Sequence, residues 1–227
     1  MPAVTPDILL EAYRHGIFPM AESREDTGEL GWYDPPIRGI LPINNFHIPK
    51  RLQRILHSGR FSVTANRDFK SVILGCAASR ESTWINDEII LLYSELHQRG
   101  QAHSVECWQN DQLVGGLYGV SIGAAFCGES MFSLVPDASK VALAHLAARL
   151  WARGYELLDT QFINPHLVQF GGHEILRADY HARLQQALKK ECQFVVDGDD
   201  GTAGNAALLS AFLSAVSGSL QSTTATS

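Results

Sequence analysis

The sequence predicts an α+β fold, a mostly antiparallel sheet flanked by helices, and three observations carry that reading. Residues 103–108 alternate as a strand, "QNDQ" offers a turn, and 113–123 return, which together make a hairpin. "PDASKVALAHLAARLWARG" places Leu143, Leu146, Ala147 and Leu150 at helical spacing and closes on Gly154. "YELLDTQFIN" follows at once as a strand rich in apolar residues. The resulting order is strand, two helices, several antiparallel strands, helix, strand, helix, which lays helices over a sheet instead of alternating strand with helix throughout.

Taken in order, Thr5-Pro6-Asp7 starts a helix with a hydroxyl cap, a proline at the first helical position and an acid in the first turn. Ile8, Leu9, Ala12 and Tyr13 form its apolar stripe, and Gly16 ends it. "FPMAESREDTGELGWYDPPIRGILP" is too rich in proline, glycine and charge for a regular element. A long ordered connection is expected there, because Phe18, Met20, Trp32 and Tyr33 have apolar surface to bury. "IPKRLQRILHSGR" is a short helix bringing Lys50, Arg51, Arg54 and Arg60 near one another, a pattern that most often marks a solvated face but that also suits phosphates. "FSVTAN" is a strand, "DFKSVILGCAA" and "INDEIILLYSELHQRG" are amphipathic helices, and "AAFCGESMFSL" is a strand or a strand with a bend. After the strand at 155–162 come a short helix stopped by Gly171-Gly172 and a last helix from about Asp179 to Lys190. From Asp197 onward a Gly/Asp linker, a short apolar patch and a polar tail predict disorder.

Composition narrows the function. A chain of 227 residues, 45% of them hydrophobic, suits one medium domain, alone or with an appendage. No apolar run approaches the ~20 residues that span a bilayer, and Met1-Pro-Ala-Val does not begin like a signal peptide, so a soluble, cytoplasmic protein with no membrane partner is expected. The four cysteines form no CxxC pair and the nine histidines no HExxH, so neither a disulfide framework nor a metal site is expected. A formal net charge of −6 counts against a surface wholly wrapped in nucleic acid and leaves room for a local basic patch.

GxSxG is absent around Ser130, and Cys127 reads as a small apolar strand residue. "GGLYGVSIG" fits neither GxGxxG nor a P-loop, so its glycines let another backbone or a ligand come close. Glu129, in "CGESMF", and Asp159 with Gln161, in "LLDTQF", are the polar groups in apolar settings. Each acid alone fits a strand end or a cation partner; two such sites in different strands favour a lined pocket with a few polar groups. Strand alternation puts Asp159 and Gln161 on one face, side by side.

In this order "AYRHGIFPM", "DPPIRGILP", "TWIN", "GQAHSVECW", "LVGGLYGV", "FCGESMFS", "ASKVAL" and "LLDTQFINPHL" make the chain resemble the bacterial leucyl/phenylalanyl-tRNA–protein transferases, from about Leu9 to Leu188. The resemblance implies an N-acetyltransferase-like domain, here over 35–196, after a reduced N-terminal domain over 1–34, with 197–227 as the tail. It implies an aminoacyltransferase, without cofactor, that takes leucine or phenylalanine from aminoacyl-tRNA. The acceptor would be the N-terminal α-amine of a protein starting with Lys or Arg, which the transfer marks for degradation. By motif, Asp159, Gln161 and Glu129 are the catalytic positions, with Asn164 beside them. Leu117, Phe126, Met131, Leu146, Leu150 and Leu158 form the cup for the aminoacyl side chain, and Trp84 and Tyr13 line the end that takes the terminal adenosine. Where the family commonly has Trp after "GIFP", this chain has Met20.

An aminoacyl ester is already activated, so the work left is positioning, handling the amine's proton and stabilising the oxyanion. Gln161 does not titrate. Either Asp159 orients Gln161 and its carbonyl accepts a hydrogen bond from the amine, or the tRNA's 2′-hydroxyl relays the proton. Glu129 would hold the cationic first residue or the amine. An apolar cup discriminates single methylenes by only ~1–3 kcal/mol, so methionine is expected as a weak third donor. Two rivals stand. One is an acyl-coenzyme A N-acetyltransferase, against which the missing (Gln/Arg)-x-x-Gly-x-(Gly/Ala) turn speaks; the other is a non-catalytic module that holds N-terminal Arg or Lys peptides.

Overall fold

The computed structural model describes residues 4–24, 30–79 and 83–222, the last six by backbone alone. In chain order its elements are α1 (Pro6–Arg14), β1 (Phe18–Met20), β2 (Gly31–Tyr33), β3 (Ile37–Leu41), α2 (Lys50–His57), β4 (Ser62–Ala65), α3 (Phe69–Ala78), α4 (Asp87–Gln98), β5 (Ala102–Gln109), β6 (Gln112–Ile122), β7 (Ala125–Ser133), α5 (Ala138–Ala152), β8 (Leu157–Gln161), α6 (Pro165–Val168), β9 (His173–Leu176), α7 (Arg177–Ala187) and α8 (Thr202–Ser222).

Local chemistry starts the helices where the sequence reading put them. Thr5 Oγ1 accepts from the Ile8 amide, Asp68 from Ser71, Asn86 from Ile89 and Asn164 from Leu167, each satisfying an amide that has no partner in the first turn. The β5–β6 hairpin turns through Asn110 and Asp111 at φ 51° and 58°, the left-handed pair of a two-residue turn that matches strand twist.

Seven strands form one sheet in the order β4-β5-β6-β7-β8-β3-β9. Every neighbouring pair is antiparallel except β7 with β8, which run parallel. The fold is therefore α+β with a mixed sheet. One face packs under α1, α3, α4 and α7 through Tyr13, Val72, Tyr93 and Tyr180. The other packs under α2, α5 and α8 through Leu52, Leu146, Leu150 and Phe212.

Two expectations need correcting. The stretch 18–42 contains three strands, not an irregular connection. β1 and β2 make a separate ribbon, where Pro19 is tolerated because both strands are edges, and β3 lies inside the main sheet between β8 and β9. Pro35-Pro36 precede β3 instead of interrupting it. The charge that made the segment look like a loop, Arg38, is fully buried against Asp159, 121 residues away. The region after Asp197 is not disordered as far as Ser222: α8 buries Leu209 and Phe212 against α5, with Phe212 5.8 Å from Trp151 and 6.2 Å from Phe46. Residues 223–227 lie outside the described residues. The helix is tied down by a distant partner, since Arg149 donates to Asp199 Oδ1 at 2.7 Å and to Asn205 Oδ1 at 2.9 Å.

Candidate functional site

The site forms where the parallel pair parts. β7 and β8 pair as far as Cys127 opposite Asp159, and no further. Each strand then carries a bulge against its other neighbour. Tyr118 faces Ser130 and Gly119 faces Gly128, leaving Glu129 without a partner residue. Gly39 faces Gln161 and Ile40 faces Asp159, leaving Thr160 likewise. A bulge bends the strand and re-aims side chains, and these two turn Glu129 and Gln161 toward each other across the parting. Glycine is needed opposite both: a Cβ on Gly119 would collide with the Cys127 carbonyl, and one on Gly39 would lie 2.6 Å from the Phe162 carbonyl carbon. Gly116 and Gly119 of β6 thus answer to a neighbouring backbone, and Gly115 to the Ala138 side chain.

The second bulge breaks the alternation expected for "LLDTQF". Gln161 has φ 57°, in the left-handed region that costs a side-chain-bearing residue ~1–2 kcal/mol. Asp159 and Gln161 consequently do not share a face. Asp159 is fully buried behind the cavity, whereas Gln161 lines it. The link between them is main-chain: Asp159 Oδ1 accepts from the Gln161 amide N–H at 2.8 Å.

Asp159 has three further bonds. Arg38 donates from Nε at 2.9 Å and Nη2 at 2.6 Å, and Tyr180 donates its hydroxyl at 2.9 Å. Arg38 also donates to the Gly16 carbonyl at 2.9 Å, and its guanidinium lies 4.7 Å from the Phe18 ring centre and 4.3 Å from that of Tyr180. Burial opposes the charge on Arg38, but the Asp159 carboxylate outweighs it and holds the guanidinium firmly protonated. Cys127 beside this pair has its thiol pushed well up by burial and by Asp159, so it is no thiolate nucleophile.

In front of this layer lies a cavity of about 290 Å³. Leu117, Met131, Leu143, Leu146, Leu158 and Leu167 form its apolar wall; Phe18, Met20, Trp84 and Phe162 stand on another side; Glu129, Ser130, Thr160, Gln161, Asn164 and His166 supply polar atoms. Of the expected cup, Phe126 and Leu150 are not in this wall. Phe126 stacks on Phe194 with centroids 5.3 Å apart, and Leu150 is buried elsewhere in the same core. Tyr13 does not line the cavity either. It bonds Tyr93, which donates to Glu129 Oε2 at 3.3 Å. Asn164 lines the cavity while its Oδ1 caps α6.

Sequence reasoning missed Arg38, Tyr93, Tyr180 and Phe162. A basic residue in an otherwise apolar "IRGIL" was the one available signal for Arg38; the tyrosines gave none beyond helical periodicity. No Lys or Arg lines the cavity among the described residues, so its wall does not suit a diphosphate.

Glu129 is the electrostatic exception. Burial pushes its carboxyl up to about 8, helped by the nearby charge of Asp159 and opposed by hydrogen bonds from Tyr13 and Tyr93. The Gln161 amide meets it 3.3 Å from Glu129 Oε1. In the orientation that satisfies both ends of the amide, its NH2 donates to the carbonyls of Gly128 at 2.9 Å and Thr160 at 3.2 Å. That amide presents its carbonyl to the carboxyl, which suits a protonated Glu129.

An apolar chamber closed at one end by a carboxyl and a carboxamide, set beside a parting parallel pair, suits a protein that holds a small apolar group next to a polar one. Comparison with known proteins gives the particular family. Residues 40–185 match the model of the leucyl/phenylalanyl-tRNA protein transferase, and residues 3–36 match that of the N-terminal domain of the same protein. The chain belongs to this family. It is 54% identical over 201 residues to a leucyl/phenylalanyl-tRNA–protein transferase of Maricaulis maris, covering 87% of this chain and 93% of that one. To the protein of the same name from Caulobacter vibrioides it is 58% identical over 189 residues, covering 82% and 87%. Among solved structures, the C-terminal domain of a putative lysylphosphatidylglycerol synthetase from Agrobacterium fabrum overlaps 79% of this chain and 69% of its own, at 14% identity and a TM-score of 0.36, a likeness too slight to assign a fold. No helix among the described residues is long and apolar enough to cross a membrane.

Proposed function

We propose that this chain moves leucine or phenylalanine from aminoacyl-tRNA to the N-terminal amine of a protein. The observation that carries the reading is the cavity itself, whose apolar wall of leucines and Met131 ends on Glu129 and Gln161. The aminoacyl side chain fills the apolar part, and the ester carbonyl stands at the polar end with the amine beside Gln161. Methionine enters as a weak third donor because nothing in such a wall senses one methylene strongly.

Acceptors that begin with Arg or Lys fit the surplus of acid at the polar end, and the product is marked for degradation. Asp159 already has its charge matched by Arg38, so it acts through the backbone of Gln161, and Glu129 is the acid left to meet the acceptor. Trp84 and Phe162 offer aromatic faces to the terminal adenosine where Met20 offers none. Lys50, Arg54 and Arg60 around α2 are solvent-exposed and supply positive charge for the tRNA backbone. Transfer needs neither cofactor nor metal and runs in the cytoplasm. A single parallel pair in an otherwise antiparallel sheet, with the cavity at its parting, supports the N-acetyltransferase-like assignment over residues 35–196.

The test is transfer of labelled leucine from its tRNA to a peptide beginning with Arg, beside the same peptide beginning with Asp. Label on the first and not the second is expected; label on neither overturns the reading.

A further inference from the structure

Glu129 is placed for more than holding a cation. It is the unpaired residue of the β7 bulge, it lines the cavity, and the groups in contact with its two oxygens are uncharged: the Tyr93 hydroxyl on Oε2 and the Gln161 amide on Oε1. The titratable and charged groups around it are Tyr13 from α1, Tyr93 from α4, Cys127 from β7, Asp159 from β8 and Arg38 from β3, with His166 and Tyr118 on the cavity wall. Arg38 is committed to Asp159, so among the described residues no cation is paired with Glu129, and its proton is free to come and go.

We propose that Glu129 is the proton carrier of the transfer reaction, with Tyr93 and Tyr13 as the hydrogen-bonded line that stabilises its carboxylate. The proposal rests on the aminoacyl-transfer reading. The neutral amine attacks the ester carbonyl, forming the C–N bond; the Glu129 carboxylate takes one N–H proton; the C–O bond to the ribose breaks, and the departing oxygen receives that proton from Glu129. Amide and alcohol result, and Glu129 is an anion again. Gln161 is a positioning residue in this scheme, because its amide, held by the Gly128 and Thr160 carbonyls, keeps its oxygen against the Glu129 carboxyl. A carboxyl pushed up to about 8 is matched in basicity to an α-amine, which titrates near ~7.7–8.0, and matching of this kind favours general base catalysis.

Single-turnover transfer from preloaded Phe-tRNA to saturating Arg-initiated peptide, followed from pH 6 to 9.5, decides the matter. Glu129→Gln is expected to lower the rate at saturation about 10²–10⁴-fold, the usual worth of a positioned base, and not merely to raise the KM for peptide. Tyr93→Phe removes a donor that favours the ionised carboxylate. It should therefore shift the rising limb of the profile to higher pH, although the acceptor's amine is unchanged. The proposal is overturned if Glu129→Gln keeps the wild-type saturated rate with a raised KM, which would make Glu129 a binding group only. It is equally overturned if the Tyr93→Phe profile superimposes on that of the wild type. Should Glu129→Gln unfold, the Tyr93→Phe shift decides alone. Failure of the wild type to transfer anything speaks against the function reading and not against this role.

Discussion

Among the described residues two arginines, Arg38 and Arg149, are wholly buried, and each is paired to an aspartate. Arg38 meets Asp159 through two nitrogens, and that carboxylate serves no other cation among the described residues. Arg149 shares Asp199 with Arg153 and otherwise donates to neutral oxygens of Phe194, Asp199 and Asn205. Burial consequently pushes Arg149 down to about 10, whereas Arg38 is raised. Both stay charged at any working pH. The difference lies in what each holds: Arg149 fastens α8 to α5, and Arg38 fixes the backbone of Gln161 through Asp159. A buried ion pair is costly to break whatever it does, so stability alone cannot tell an anchor from a part of the site.

The largest effect is expected for Arg38→Met, which leaves the Asp159 carboxylate buried without a cation. About 3–5 kcal/mol of stability should be lost in denaturant unfolding, and transfer should fail in the molecules that remain folded. Adding Asp159→Leu removes the stranded charge and should recover much of the stability but none of the transfer. Recovery of transfer would mean that the pair is an anchor like the other. Arg149→Met should lose stability of the same order, yet the folded fraction should turn over at the wild-type rate, because no described residue of α8 lines the cavity. A fall in that rate would show that the two regions are coupled.

This contrast also explains what could be read in advance. Helices capped within four residues, such as α1, α3 and α4, and the β5–β6 hairpin were legible because their causes are local. β3 and α8 were not. Each is fixed by a charge whose partner lies elsewhere in the chain: Arg38 to Asp159 for β3, Arg149 to Asp199 for α8. The same holds within the site. "CGES" and "LLDTQ" drew attention to the acids and the amide, and the cavity wall contains Leu117, Met131, Leu146 and Leu158. The two bulges, however, depend on pairing with β6 and β3, so alternation along β8 gave the wrong face for Asp159. Phe126 and Leu150, expected in the cup by resemblance, lie outside the cavity wall, because a shared motif marks a buried position and not which buried face is hollow.

A smaller effect separates Glu129 from either salt bridge. Its carboxyl titrates at about 8 in the folded chain against an ordinary value of 4.5, so the folded state holds an extra proton between those pH values. The stability this contributes is complete below 4.5 and falls away as pH rises through 8. Glu129→Gln cannot titrate. Its stability relative to wild type should therefore rise from pH 5 to pH 8, by on the order of 1–2 kcal/mol once the part of the side chain open to the cavity is allowed for. A flat difference across that range would mean that Glu129 is ionised throughout.

The smallest expected change in stability belongs to Gln161, and it sharpens the comparison most. The residue sits at φ 57°, where glycine is at ease and glutamine is not. The strain is held by the Asp159–Arg38 pair through a 2.8 Å bond to the Gln161 N–H. Gln161→Gly keeps that bond and relieves the strain, while it forfeits the bond to Glu129 and some burial. Stability should move by less than about 1 kcal/mol in either direction. Transfer should nonetheless fall steeply, since the side chain that meets the Glu129 carboxyl at the polar end of the cavity is gone. If Gln161→Gly transfers normally, the left-handed turn at the end of β8 serves the fold and nothing else, and the Arg38 cluster becomes an anchor of the same kind as the Arg149 cluster.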